Sequence, residues 1–66
     1  MNGITIVGRD KVTGSDGRIK EITTFSVDTA ARIDEILTIY PNTDEGSFAI
    51  CFPTGTFKTL LDGIWI

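Results

Sequence analysis

Residues 28–41, Asp28-Thr29-Ala30-Ala31-Arg32-Ile33-Asp34-Glu35-Ile36-Leu37-Thr38-Ile39-Tyr40-Pro41, decide the fold. Ala30, Ile33, Ile36, Leu37 and Tyr40 recur at three- and four-residue spacing and fill one arc of a helical wheel. Asp28, Arg32, Asp34, Glu35 and Thr38 occupy the other side. Ser26 or Asp28 suits the N-cap, because its oxygen accepts the free N–H groups of a first helical turn. Asp28 also suits the positive end of the helix dipole. Pro41 stops the helix by pushing Tyr40 out of helical geometry. The spacing predicts a helix over residues 28–39.

On the N-terminal side the period is two. In residues 3–12, Ile4 and Ile6 fall on one face, Thr5 and Val7 on the other, and Val12 extends the run. Thr13-Gly14-Ser15-Asp16-Gly17 is a turn cluster in which Asp16 favours local side-chain bonds. Residues 18–25 return as a strand with Ile19, Ile22 and Phe25 as its apolar members. Thr23 and Thr24 suit strand geometry. The two strands form a hairpin.

On the C-terminal side, residues 41–46 are a polar loop and residues 47–52 a strand. Phe48, Ile50 and Phe52 point one way, Ala49 and Cys51 the other. A strand apolar on both faces belongs in the middle of a sheet. Pro53-Thr54-Gly55 turns the chain. Residues 56–61 read as a further strand, Asp62-Gly63 as a two-residue hairpin turn, and Ile64-Trp65-Ile66 as the closing strand. A rival reading makes Phe57–Leu61 one helical turn capped by Gly63.

The expected fold is therefore α+β, with one domain over residues 1–66. It is an antiparallel sheet of four or five strands, ββα followed by a meander, with one helix packed on one face. The other sheet face has no internal cover. A chain of 66 residues supports a core stability of only about 3–5 kcal/mol. One cysteine, Cys51, permits no internal disulfide, and the lack of histidine leaves no ordinary zinc ligand set. Good packing or burial against a second chain must supply the rest.

The N-terminus has no basic segment leading into a long apolar stretch, and no apolar run reaches the ~20 residues of a membrane span. An unpaired cysteine fits a reducing compartment. The expected location is the cytoplasm, that of the host cell if the protein is phage-encoded.

No catalytic, cofactor or metal site is expected. Without histidine there is no common general base near neutral pH and no Ser-His or Cys-His pair. Cys51 lies between Ile50 and Phe52 and reads as a small hydrophobe. Asp34 and Glu35 diverge by roughly 100° on a helix. Asp44 and Glu45 share a loop that permits convergence, but the loop lacks the closing Glu of a calcium site. The glycines match no phosphate-binding spacing.

Net charge is −3, and the acidity is concentrated. Residues 28–46 carry Asp28, Asp34, Glu35, Asp44 and Glu45 against Arg32 alone. That argues against direct nucleic-acid binding, which needs a basic face. Carboxylates along a ridge imitate phosphate charge and fit a basic groove on a partner protein; the plainer alternative is a solvated helix face. Trp65 is the second candidate. If Ile64 and Ile66 face the core, alternation sends Trp65 outward as a binding anchor; the alternative is that it packs across the sheet and closes the core. The expected partner-binding residues are Asp28, Asp34, Glu35, Asp44, Glu45 and Trp65, facing a protein with a basic surface. The competing expectation is an oligomeric module whose uncovered sheet face, carrying Ala49, Cys51 and Trp65, meets a second copy in a homodimer.

In size, acidity and ββα-plus-strands layout, the chain resembles the small phage-encoded anti-CRISPR proteins. The features that carry the likeness are the acidic stretch from Asp28 to Glu45 and the absence of histidine and metal ligands. The resemblance implies binding to a CRISPR effector subunit and a block of target-DNA or PAM recognition by charge mimicry. No family residue is carried over individually.

Overall fold

The computed structural model describes residues 3–66. Five strands and one helical segment follow one another: β1 (Ile4–Thr13), β2 (Ile19–Val27), a 3₁₀ helix (Ala30–Glu35) running into α1 (Ile36–Ile39), then β3 (Phe48–Cys51), β4 (Thr56–Leu61) and β5 (Ile64–Trp65). The strands lie in the sheet in chain order. This is the expected α+β layout of five strands and one helix. Three ladders are antiparallel, and the β2–β3 ladder is parallel. The helical segment causes the exception: it carries the chain back along the sheet, so β3 starts at the same end as β2.

The β1–β2 hairpin pairs from Ile4↔Val27 out to Thr13↔Ile19. Its turn is held by Gly14, whose N–H donates to the Arg18 carbonyl at 2.7 Å, and by the Asp16 carboxylate, which accepts the Arg18 N–H at 3.0 Å. A bulge interrupts the register between Ile6 and Gly8. Val7 is the extra residue, and alternation restarts one position out of phase. Ile4 and Ile6 face the helix before the bulge; Arg9, paired with Thr23, faces it afterwards. The outer hairpin runs past the core with β1 exposed and β2 half-buried, which gives the molecule its 36 Å long axis against 21 and 20 Å.

The helix departs from expectation. Most of it is 3₁₀, and the α-helical part has four residues. The 3₁₀ geometry stacks positions three apart, and Ala30, Ile33, Ile36 and Ile39 are spaced that way. Ile33 and Ile36 are fully buried. The expected caps do not form. Ser26 belongs to β2, and Thr29 holds the N-cap position with no side-chain hydrogen bond. Asp28 instead donates its N–H to the Gly3 carbonyl at 3.0 Å.

Residues 56–61 are a strand, not a helical turn. Asp62 and Gly63 adopt φ of 52° and 75°, the paired positive values of a type I′ turn that matches strand twist. Asp62 is the one described non-glycine residue with positive φ.

The core lies between the helix and one sheet face. It comprises Ile4, Phe25, Val27, Ile33, Ile36, Ala49 and Cys51, with Ile6, Tyr40 and Trp65 packed against it. Phe25 is its centre. Tyr40 approaches with ring centroids 5.4 Å apart, and Trp65 meets Phe25 edge-on at 6.4 Å.

Candidate protein-interaction surface

The acidic residues fall into two groups with different work. Asp28 and Glu35 flank Arg32, whose Nε lies 3.4 Å from the Asp28 carboxylate and whose Nη1 lies 3.1 Å from that of Glu35. The Glu35 hydrogen bond, followed by the Glu35 and Asp28 charges, raises the guanidinium further above its already high pKa. The second group stitches the sheet. Asp44 accepts the Glu21 N–H at 2.9 Å, and Glu45 accepts the Asp62 N–H at 3.2 Å. Asp44 therefore serves β2 and Glu45 the β4–β5 turn, and the two do not converge. Asp34 alone among the five is exposed without a hydrogen bond or ion pair among the described residues.

Trp65 is placed inward. The Leu60↔Trp65 pairing puts it on the helix side, against Phe25. Ile64 and Ile66 therefore point outward, which reverses the arrangement that would have exposed the indole. The indole N–H is buried and has no hydrogen-bond partner. Ala49 and Cys51 are fully buried on the same covered face, so the expectation that Ala49, Cys51 and Trp65 line the open face is corrected. The reason is register. Ala49 and Cys51 pair with the core residues Phe25 and Val27, which fixes their direction.

The open face carries their neighbours. Register places Phe48 and Ile50 of β3, Phe57, Thr59 and Leu61 of β4, and Ile64 of β5 on it. Ile66 joins them by exchanging two backbone hydrogen bonds with Thr59, at 2.9 and 3.0 Å. Phe48 and Phe57 lie across the strands with ring centroids 5.4 Å apart. Phe57, Leu61, Ile64 and Ile66 are 46–63% exposed. At about 200 Å² per large side chain, the patch is on the order of 500 Å². That is the upper range for a single chain and marks a contact surface. On the β1–β2 side the face continues as Thr5, Thr24 and Ser26. These positions carry no charge; farther out along the hairpin the register puts Asp10 and Lys20 on the same face.

A cleft of about 320 Å³ opens on the opposite side, beyond the helix end, between Ile6, Arg9, Glu21, Phe25, Tyr40 and Asn42. Arg9 and Glu21 pair there at 3.8 Å, so each charge already has a partner. Cys51, fully buried with its thiol free, has no access to substrate. Among the described residues no helix is long and apolar enough to cross a membrane.

The alternation of Phe57, Leu61, Ile64 and Ile66 was visible in the sequence. Which side it faced depended on Leu60 and Trp65 being the inward pair. No known protein family, curated protein or solved structure matches the chain.

Proposed function

We propose that this chain is a non-enzymatic, cytoplasmic protein-binding domain that works through its open sheet face. The carrying observation is the contiguous, uncharged apolar patch of Phe48, Ile50, Phe57, Leu61, Ile64 and Ile66. A thin core gains most by covering such a face. The free buried thiol of Cys51 fits a reducing compartment. The test is capture by tagged protein in bacterial lysate, comparing the wild type with a Phe57→Lys/Ile64→Lys variant. A protein, this chain included, that the wild type retains and the variant loses supports the reading. Equal capture by both removes it.

The acidic layer supports a second reading, an inhibitor that offers carboxylates to a basic surface in the manner of an anti-CRISPR protein. The observation in its favour is that Asp28, Asp34, Glu35 and Glu45 are all exposed. Arg32 offsets part of that charge, which makes this the weaker reading. An Asp34→Lys/Glu35→Lys variant should lose a salt-sensitive partner while remaining folded; retention of the partner at unchanged affinity rejects it.

A further inference from the structure

We infer that the occupant of the open sheet face is a second copy of this chain, packed face to face as a two-fold sandwich with β4 near the axis. The inference rests on the protein-binding reading above and names its partner. Three observations converge on it.

The first is the distribution of charge. The positions of the face from Thr24 and Ser26 across to Ile66 carry no charged side chain, and its charges Asp10 and Lys20 lie farther out on the β1–β2 hairpin. Asp34 and Glu35 lie on the helical layer behind the sheet, and Asp28 stands at the rim beside Thr5 and Ser26. A two-fold interface sets each surface against its own copy. A charged patch would oppose like charges; the apolar patch has none. Packing the open faces directs both helical layers outward, so two chains of net charge −3 approach with Asp34 and Glu35 on the far sides. The patch likewise offers a nucleic acid or an anionic lipid surface no cation to engage.

The second is area. The apolar patch of roughly 500 Å² per chain gives about 1,000 Å² for the pair, the lower threshold for a specific interface, with Thr5, Thr24 and Ser26 beside it. The third is shape. Sheets pack on sheets about 10 Å apart through alternating side chains. Large Phe48, Ile50, Phe57, Leu61 and Ile64 beside small Thr24, Ser26 and Thr59 supply the ridges and hollows for that packing.

Sedimentation velocity on the full chain under reducing conditions, from low to high micromolar concentration, tests the inference. The wild type is expected to reach the mass of a dimer. Phe57→Lys should shift the equilibrium to monomer by at least tenfold, with circular dichroism showing the fold retained. If Phe57→Lys fails to fold, Thr59→Lys, at a shorter and half-buried side chain on the same face, serves in its place. A wild type that stays monomeric at high micromolar concentration overturns the inference, as does a dimer that survives the lysine substitution. In the monomeric case the lysate assay separates the two ideas. Capture of another protein, lost with Phe57→Lys/Ile64→Lys, leaves the protein-binding reading standing and removes only the second copy; no capture removes both.

Discussion

The Thr23 N–H donates to Ser47 Oγ at 3.1 Å, and both residues are buried. Ser47 thereby ties the middle of β2 to the start of β3. Its backbone completes the join: the Ser47 carbonyl accepts the Leu60 N–H at 2.9 Å, and neighbouring Gly46 donates to the Leu60 carbonyl at 2.9 Å. One small polar residue therefore links three strands. Ser47→Ala strands a buried N–H, so it should cost about 1–3 kcal/mol. Urea unfolding measures this, and a loss below about 0.5 kcal/mol would show that the bond contributes little.

Trp65 fills the β5 end of the core through its rings, and its N–H contributes no bond. Trp65→Phe keeps the apolar contact and removes the orphan donor, so it should cost less than about 1.5 kcal/mol. Trp65→Ala should cost about 3–5 kcal/mol, as much as the whole stability of a domain this size. Denaturation of the two variants side by side checks the contrast. Equal losses would mean that the N–H has a role that the geometry hides.

The acidic residues should separate by function. Asp34→Lys touches no described partner and should change stability by no more than about 0.5 kcal/mol. Asp44→Ala removes the acceptor of the Glu21 N–H and should cost about 1 kcal/mol. Thermal melts of the single variants decide, and the reverse order would contradict the assignment of Asp44 to the scaffold.

Asp62 sits at φ 52° at the first position of a type I′ turn. Asp62→Asn should be neutral, because asparagine tolerates this region well. Asp62→Val should cost about 1–2 kcal/mol, since a β-branched side chain clashes there. An Asp62→Val protein with unchanged stability would place the turn in another conformation.

Cys51 has no exposed surface. A thiol reagent should leave the native protein unmodified and label it only as urea opens the sheet, with labelling following the unfolding curve. Rapid labelling in buffer would show that β3 opens locally, and would revive a chemical role for the thiol.

Much of the fold was legible because it rests on local rules. The alternation around Ile4 and Ile6, the Gly14–Gly17 turn, Pro41 and the Asp62-Gly63 pair each act within a few residues. Together they pointed to four or five strands and one helix, in the succession along the chain that the structure shows. Composition alone withheld histidine and a second cysteine, and with them histidine-dependent catalysis, an internal disulfide and the ordinary zinc ligand set. Tertiary contacts decided the rest. The parallel β2–β3 ladder depends on where the helix returns the chain, and the 3₁₀ form depends on Ile33 and Ile36 sharing one slot over the sheet. A bulge at Val7 rephased β1, and the inward pairing of Leu60 with Trp65 chose which apolar set was left outside. Periodicity gives two faces for every strand, and only packing against a neighbour says which of them water sees. That is why the sequence pointed to Trp65 and the acidic band, while the folded chain exposes Phe57, Leu61, Ile64 and Ile66.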